Sequence, residues 1–331
     1  MKKIGIIGAG AWGTALANII RRSENEVVIW AREHEVVTAI NETHENPYFL
    51  KDIKLDKEIR ATNSLSEVTD ADILFLVTPA QHVRKSLQAL EALPPEKPLV
   101  ICSKGVELET GNLMTQIAQE ELPGSKVGVM TGPTFAEELG RGLPSAVTLA
   151  FSDKDTAQFI IDTVASKTFR LYHNEDVIGA QIGGAVKNII AIACGAAYGM
   201  RLGESARAAL MTRGLAEMAR LASAMGASRT TLLGMCGVGD LMLTCNSMKS
   251  RNFSLGAALG EGRTLDEILT EREGKAVTEG VDTARAVKVM IDAQAVSMPI
   301  SEIVFEVLTQ SLPIRDALDK LLERPLEQTK D

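Results

Sequence analysis

The chain has 331 residues and a formal net charge of −8, and this acidic balance argues against binding nucleic acid or an anionic membrane surface, which need a basic field. Its 45% hydrophobic content suits sizeable cores in about two domains of ~150 residues each. The four cysteines show no C-x-x-C spacing, the four histidines form no metal-ligand pattern with them, and an apolar strand starts at residue 4. These features predict a cytoplasmic protein with reduced thiols, no signal peptide, no membrane anchor and no metal.

The first predicted elements flank a glycine-rich turn, Gly8-Ala9-Gly10-Ala11-Trp12-Gly13, between an apolar strand at 4–7 and a helical run at 14–22. Gly8 permits a tight turn, Gly10 lets the backbone approach a pyrophosphate, and Gly13 allows close packing of the helix on the strand. Free N–H groups at the helix start favour an anion. This context predicts a dinucleotide-binding site that contains Gly8, Gly10 and Gly13.

The second predicted strand, at 26–30, ends before Arg32 and Glu33. Arg32 could bind a 2′-phosphate and favour NADPH, whereas Glu33 could bind the ribose hydroxyls and allow NADH. The sequence favours NADPH with use of both cofactors. A solvated Arg32 without a cofactor role remains an alternative.

Strands and helices alternate through the first half of the chain. The helices include 64–68, opened by a Ser64-x-x-Glu67 capping box, and 111–121, bounded by Pro123-Gly124. Further strands are predicted at 72–77, 99–102, 126–131, 146–151 and 169–172. This βαβ rhythm predicts an α/β protein whose N-terminal domain is Rossmann-type with a mostly parallel sheet.

After residue 176 no further strand is recognisable, and Ala-rich helical segments run to the C-terminus. We therefore predict a dinucleotide-binding domain at 1–176 and an all-α substrate and catalytic domain at 177–331. The apolar segment 177–199 is long enough to span a membrane, but Gln181, Lys187 and Asn188 interrupt it, which favours a buried core helix. Other helices are predicted at 205–225, 282–293 and 300–308.

Two glycine-containing segments follow predicted strands, where ligands of open α/β sheets bind. Ser103-Lys104-Gly105 would bring the Lys104 ammonium into the crevice. Thr131-Gly132-Pro133-Thr134-Phe135-Ala136 offers backbone and hydroxyl donors at a helix start. A surface lysine and a simple Pro-Gly turn are the plainer interpretations.

Lys187 is the first catalytic candidate, because it stands among apolar residues in Gly183-Gly184-Ala185-Val186-Lys187-Asn188. Burial of an ammonium lowers its pKa toward the range of a general acid or base. Asp240, after two glycines in Gly237-Val238-Gly239-Asp240, is its predicted partner. The alternatives are a lysine that extends to solvent and an aspartate that caps a helix. Because the carboxylate opposes the effect of burial, the sequence leaves the net direction of the Lys187 pKa open.

Ser250-Arg251-Asn252 begins another helical run. A hydroxyl, a guanidinium and an amide beside the N–H groups of a helix start predict a phosphate clamp.

Together these segments closely resemble the bacterial NAD(P)-dependent glycerol-3-phosphate dehydrogenase family over essentially the whole chain. The matching segments are 8–17, 103–105, 131–136, 183–188, 212–218, 237–241 and 250–252. The resemblance implies that Lys187 is the proton donor or acceptor, with Lys104 and Asp240 also catalytic. The implied glycerol-phosphate site contains Lys104, Gly132, Thr134, Lys187, Asp240, Ser250, Arg251 and Asn252.

The resemblance also implies NADPH or NADH as cofactor, a phosphorylated small-molecule substrate and a homodimer. The implied cofactor contacts are Ala11, Trp12, Arg32, Lys104, Ala136, Arg251, Val277 and Glu279. Ala11 stands where many members have Ser, so only a backbone contact is expected there. The expected reaction interconverts dihydroxyacetone phosphate and sn-glycerol 3-phosphate, which supplies phospholipid synthesis. A related lysine-dependent dehydrogenase of 6-phosphogluconate or ketopantoate, and a non-catalytic nucleotide sensor, are the alternatives.

Overall fold

The computed structural model describes residues 1–90, 93–271 and 279–323. Its strands are β1 (Lys3–Ile7), β2 (Glu26–Trp30), β3 (Arg60–Thr62), β4 (Ile73–Leu76), β5 (Leu99–Ile101), β6 (Val127–Thr131), β7 (Ser145–Ala150) and β8 (Phe169–Asn174). They form one sheet in the order β3-β2-β1-β4-β5-β6-β7-β8. All neighbouring pairs are parallel except β6 and β7, which are antiparallel. The predicted class, a Rossmann-type and mostly parallel sheet followed by helices, is therefore confirmed.

The central strands are apolar runs because both faces of the sheet are covered. Every residue of β4, for example, is buried. Strand β3 was not predicted, since only three residues pair with β2 and one of them, Arg60, is exposed. Such a short, partly polar segment is too short to show the alternation of apolar and polar residues that indicates a strand.

Seven α-helices lie between the strands in the described residues of this half. They are α1 (Ala11–Arg21), α2 (His34–Thr43), α3 (Leu65–Thr69), α4 (Val83–Gln88), α5 (Met114–Glu121), α6 (Ala136–Gly140) and α7 (Lys154–Val164). Their buried residues form one apolar layer on each face of the sheet. The loops that follow β1, β4, β5 and β6 lie at the carboxyl ends of these parallel strands, where neither helix layer covers the sheet.

The predicted capping box of α3 and the predicted start of α5 are wrong. At α3 the capping box does not form, because the Ser64 hydroxyl is bonded to that of Ser66 and the Glu67 carboxylate is paired with Arg60. Helix α5 begins at Met114 and not at Gly111. Gly111 instead has a φ of +74°, a left-handed conformation that suits the turn before the helix.

Helices make up the second half of the described chain. They are α8 (Val177–Gly199), α9 (Glu204–Ala224), α10 (Asp240–Cys245), α11 (Arg251–Gly260), α12 (Leu265–Glu271), α13 (Glu279–Gln294), α14 (Pro299–Thr309) and α15 (Ile314–Leu322). Helix α8 has the predicted bounds, and 89% of its most apolar stretch is buried inside the protein. The prediction of a core helix is confirmed.

Helix α8 packs closely on α11 because glycines face the partner backbone. A Cβ on Gly195 would collide with the Phe253 carbonyl oxygen, and one on Gly256 would collide with that of Ile192. With no side chain at these points, the two helix backbones come nearly into contact. This packing fixes the start of α11 relative to the middle of α8, where Lys187 stands.

Candidate active site

The glycine-rich turn has the geometry of an anion cradle. Gly8 has a φ of +117°, and a Cβ there would lie 2.8 Å from the Val77 carbonyl oxygen. A Cβ on Gly13 would collide with the Gly8 carbonyl oxygen, whereas around Gly10 there is open space for 4 Å among the described residues. The predicted conformation of Gly8 and the predicted close packing at Gly13 are present, and the role of Gly10 at a pyrophosphate stays a prediction.

Helix α1 begins at Ala11, three residues before the predicted start, because the turn itself forms the first helical turn. The helical hydrogen bonding begins with Thr14 N donating to Gly10 O at 3.0 Å. The N–H groups of residues 11–13 therefore face the space beside Gly10 without a partner within their own helix. A pyrophosphate placed there would meet these donors and the positive end of the helix.

Arg32 and Glu33, the two candidates for the cofactor ribose, bind each other. The Arg32 Nη2 and Nε atoms lie 2.7 and 3.0 Å from Glu33 Oε1, and the Arg32 side chain is 81% exposed. Arg32 follows the end of β2 by two residues. Its role in cofactor choice stays a prediction.

Lys187, Asp240 and Lys104 form the centre of the site. Lys187 Nζ lies 2.6 Å from Asp240 Oδ1, and Lys104 Nζ lies 2.6 Å from Asp240 Oδ2. The predicted Lys187–Asp240 pair is present, although 53 residues separate the two in sequence. The approach of Lys104 to the other oxygen of the same carboxylate was not predicted from sequence.

Burial sets the acid–base properties of these groups. Removal from water lowers the pKa of Lys187 to about 8, with the Asp240 carboxylate opposing the shift and the Lys104 charge adding to it. Burial by itself would raise the pKa of Asp240, but the two ammonium groups outweigh it and hold that pKa below its usual value. A buried carboxylate thus stays ionised beside a lysine that can gain or lose a proton near neutral pH.

The glycines beside Lys187 allow this cluster to assemble. A Cβ on Gly183 would collide with the Cys236 carbonyl oxygen, in a π-helical turn, Met235–Gly239, that leads directly to Asp240. A Cβ on Gly184 would lie 2.9 Å from the Thr131 hydroxyl and 3.5 Å from Lys104 Cγ. Because α8 lacks side chains at these positions, Asp240 can approach Lys187 and Lys104 can approach Asp240.

Thr244 is a site residue that the sequence analysis missed. Its hydroxyl accepts from Lys187 Nζ at 2.8 Å and donates to Asp240 Oδ1 at 3.2 Å. The signal was available, because Thr244 follows Asp240 by four residues and therefore shares its face of α10.

The segment after β6 forms the wall nearest the glycine-rich turn. The Gly132 carbonyl oxygen accepts from Lys104 Nζ at 2.9 Å, and the Thr134 hydroxyl accepts from Trp12 Nε1 at 3.1 Å. Ala136 begins α6. The structure thus brings Gly132 to Lys104 and joins Thr134 to the glycine-rich turn.

The start of α11 differs in part from the predicted clamp. The Ser250 hydroxyl caps the helix by accepting from Phe253 N at 3.2 Å, and Asn252 Oδ1 accepts from Gly280 N at 3.1 Å. Both side chains are buried and have structural partners. Arg251 is exposed at the helix start, so the guanidinium and the helix N–H groups are the groups best placed to meet a phosphate.

The family resemblance implies two further cofactor contacts, Val277 and Glu279. Removal from water raises the pKa of Glu279, while the charges of Arg251, Lys187 and Lys104 oppose the rise. Glu279 therefore belongs to the same electrostatic cluster. Val277 lies outside the described residues.

An ion pair joins the two walls of the site. Lys249, next to Ser250, lies 3.1 Å from Glu138 on α6. Its ammonium also lies 5.9 Å from the centre of the Phe135 ring. This contact holds the start of α11 against the segment after β6, which also binds Lys104 through the Gly132 carbonyl oxygen.

Two family models match this chain, one in each half. The family model for the NAD-dependent glycerol-3-phosphate dehydrogenase N-terminus matches residues 3–157, and that for the C-terminus matches residues 176–319. Glycerol-3-phosphate dehydrogenase (NAD(P)+) of Parvibaculum lavamentivorans is 50% identical over 325 residues, which cover 98% of this chain and 97% of the relative. The same enzyme of Hyphomonas neptunium is 50% identical over 327 residues, with 98% and 97% covered.

A solved structure gives the same result. The crystal structure of glycerol-3-phosphate dehydrogenase from Coxiella burnetii matches with a TM-score of 0.92 at 34% sequence identity. The match covers 98% of this chain and 99% of that chain.

Proposed function

The chain belongs to the NAD-dependent glycerol-3-phosphate dehydrogenase family, and we propose that Lys187 exchanges the proton in the family's reaction. The protein is an NAD(P)-dependent oxidoreductase that interconverts dihydroxyacetone phosphate and sn-glycerol 3-phosphate. The observation that supports the role of Lys187 is its buried ammonium, 2.6 Å from an ionised carboxylate and with a pKa of about 8.

The residues at the glycine-rich turn fit a dinucleotide. The open space at Gly10, which a Cβ would begin to fill, adjoins the N–H groups of residues 11–13. Gly8, Gly10, Ala11, Trp12 and Gly13 would hold the pyrophosphate, while Arg32 would bind a 2′-phosphate when the cofactor is NADPH. When bound, the reduced nicotinamide supplies the hydride for the ketone carbon.

Lys187 supplies the proton in the direction of reduction. At neutral pH a lysine with a pKa of about 8 is largely protonated, so its Nζ can donate to the ketone oxygen as negative charge develops there. In the reverse direction neutral Lys187 takes the proton of the C2 hydroxyl. A pKa near the working pH lets one side chain perform both steps.

Asp240 and Lys104 keep Lys187 in position and adjust its charge. The Asp240 carboxylate holds both ammonium groups at 2.6 Å, and the Thr244 hydroxyl holds a second hydrogen of Lys187. Lys104 is proposed to contact substrate oxygens together with Gly132 and Thr134. A fixed ammonium opposite a developing oxyanion needs little reorganisation during the reaction.

Arg251 and the first turn of α11 are proposed to hold the phosphate of the substrate. An exposed guanidinium and the N–H groups of a helix start form a site for a dianion. Ser250 and Asn252 support this site indirectly, by capping α11 and by binding Gly280 N. Fixing the phosphate places the ketone carbon beside Lys187, and orientation of this kind can contribute roughly 7–11 kcal/mol in favourable cases.

The domain boundary at residue 176, the homodimer, the cytoplasmic location and the supply of phospholipid synthesis are part of the same proposal. Strand β8 ends at Asn174 and α8 starts at Val177, which supports a division between them.

The function is tested by mixing the protein with NADPH and dihydroxyacetone phosphate and following the loss of NADPH absorbance. Parallel assays with ketopantoate and, with NADP⁺, 6-phosphogluconate separate this substrate from those of related dehydrogenases. We expect turnover with dihydroxyacetone phosphate alone. Turnover only with one of the other substrates, or binding of NADPH without any turnover, would overturn the proposal.

A further inference from the structure

The loop that carries Lys104 runs from residue 102 to 113, between β5 and α5. It is held at its base by the Ser103 hydroxyl, which donates to the Thr78 carbonyl oxygen at 2.5 Å, and by a bridge between Val106 and Leu113. Lys104 projects from this loop to Asp240, 2.6 Å away. Within the loop, Glu107 N donates to the Asn112 carbonyl oxygen and Gly111 N donates to that of Glu107. Side chains from neighbouring elements add further contacts to its backbone.

Gln81 binds the backbone of this loop at two points. It stands in the 3₁₀ turn Ala80–His82 that precedes α4. Its Nε2 donates to the Val106 carbonyl oxygen at 2.8 Å, and its Oε1 accepts from Leu108 N at 2.9 Å. The side-chain amide thus pairs with the loop as a neighbouring strand would.

Arg84, one turn further along, binds the loop residue between those two points. Its Nε and Nη2 atoms lie 2.8 and 2.7 Å from the two carboxylate oxygens of Glu107. Planar two-point pairing of this kind fixes direction as well as distance. The Glu107 side chain is only 10% exposed, so the pair is shielded from water far more than an ordinary surface ion pair.

The surroundings of Arg84 hold it in this orientation. Glu120 and Glu121 of α5 accept from two more of its N–H groups, and the Thr110 hydroxyl donates to Glu107 at 2.6 Å. The Arg84 hydrogen bond lowers the pKa of Glu107, against the effect of burial. Arg84 therefore joins α4, α5 and the Lys104 loop through one guanidinium.

We propose that Arg84 and Gln81 are positioning residues for Lys104, because together they fix Val106, Glu107 and Leu108 just beyond it. Gly105 supports this, since a Cβ there would lie 2.7 Å from Ala80 Cβ, so the loop is seated directly on the turn that carries Gln81. Neither residue touches the substrate. The inference rests on the proposed function, through the role of Lys104 at Asp240.

The positioning role has a consequence for the acid–base behaviour of Lys187. The charged and titratable groups that influence Lys187 are Asp240 and Cys245 of α10, Lys104 of the loop, and Glu279 of α13. Lys104 lowers the pKa of Lys187. If the loop loosens and the Lys104 ammonium withdraws, the pKa of Lys187 rises, and oxidation of glycerol 3-phosphate, which needs neutral Lys187, shifts to higher pH.

The experiment compares wild-type protein with Arg84→Met, Arg84→Lys and Arg84→Met/Glu107→Gln in both reaction directions, over a range of pH. The double variant also removes the carboxylate that Arg84→Met would leave without its partner. It therefore allows the test even if Arg84→Met alone does not fold. Arg263→Met is the control, because Arg263 pairs with Glu271 at 2.7 Å on the surface of the helical half. Circular dichroism and thermal unfolding verify that each variant is folded.

We expect kcat/KM to fall about 10- to 100-fold in all three Arg84 variants, the range that a small misplacement of a catalytic group produces. The pH profile of oxidation should move to higher pH in these variants, and Arg263→Met should behave as wild type. Arg84→Lys should not restore activity, because an ammonium cannot make the two-point pair.

If the wild type is active and the folded Arg84 variants keep its kcat/KM and pH profile, the positioning role is overturned and the proposed function is not. A loss of activity with an unmoved pH profile would also overturn it, since Lys104 would then still face Asp240. An inactive wild type would overturn the proposed function and this inference with it.

Discussion

Lys187 Nζ and Asp240 Oδ1 lie 2.6 Å apart, with only 8% of the lysine side chain and 1% of the aspartate side chain exposed. A buried ion pair is usually a weak contributor to stability, because desolvation of both charges offsets their attraction. Here a second ammonium, that of Lys104, reaches the same carboxylate. The arrangement keeps Asp240 charged while leaving Lys187 with a lowered pKa, which is the property that proton transfer needs.

The pH dependence of oxidation is the first prediction. Neutral Lys187 is the base, so kcat/KM for glycerol 3-phosphate should rise with pH through about 8, and reduction of the ketone should decline above the same pH. Asp240→Asn removes the charge that stabilises the ammonium, so the oxidation profile of any residual activity should shift to lower pH. Asp292→Asn, which alters an exposed surface pair with Lys288, should leave the profile unchanged. A shift of the Asp240→Asn profile to higher pH would contradict this account.

Cofactor choice should depend on Arg32. Arg32→Ala should lower the ratio of kcat/KM for NADPH to that for NADH by about tenfold or more, since hydrogen bonds to charged groups contribute ~1.5–3 kcal/mol. Glu33→Gln should change the ratio in the opposite direction, because the carboxylate that pairs with Arg32 competes with a 2′-phosphate. An unchanged ratio in both variants would remove Arg32 from the cofactor site.

Phosphate binding should depend on Arg251. Arg251→Met should raise the KM for dihydroxyacetone phosphate by about 10- to 100-fold, on the same scale for charge-assisted hydrogen bonds. Arg170, exposed on β8, offers a control, and Arg170→Met should leave the KM as it is. Equal KM values for the two variants would show that the start of α11 does not hold the phosphate.

The stability of the helical half should depend on Glu217 of α9. This buried carboxylate accepts from Ile300 N at 2.7 Å, Ser301 N at 3.1 Å and the Ser301 hydroxyl at 2.9 Å, and so satisfies the start of α14. Glu217→Ala should lower the free energy of unfolding by about 2–4 kcal/mol, because it leaves buried donors without an acceptor. Glu217→Gln should cost less, and Glu42→Ala, at an exposed position of α2, should have little effect. Urea unfolding measures all three, and a neutral Glu217→Ala would contradict the assignment.

Much of the fold and part of the site could be predicted because the signals are local. Within the six residues from Gly8 to Gly13, three positions carry the glycines typical of a dinucleotide-binding turn. The apolar run from Val177 to Gly199 has the length of one buried helix. The Lys187–Asp240 pair could be inferred because a lysine in an apolar helix needs a partner, and an aspartate after two glycines is a distinctive candidate.

The remaining features depend on contacts between distant segments. Nothing local to Lys104 indicates that it reaches the second oxygen of Asp240, 136 residues away. The pairing of Asn252 with Gly280 N, which removes its amide oxygen from the predicted clamp, depends on how α11 meets α13. From sequence, Gly183 and Gly184 could equally make the helix flexible. In the structure, Gly183 lets the backbone at Cys236 approach α8, and Gly184 leaves room for the side chain of Lys104.

The most direct test of the account is the turnover of dihydroxyacetone phosphate with NADPH by Lys187→Met, compared with wild type at matched folding and cofactor affinity. Loss of a positioned general acid predicts a fall in kcat of about 10²- to 10⁴-fold with NADPH binding retained. A folded Lys187→Met protein that reduces the ketone at a rate near that of wild type would contradict the central claim.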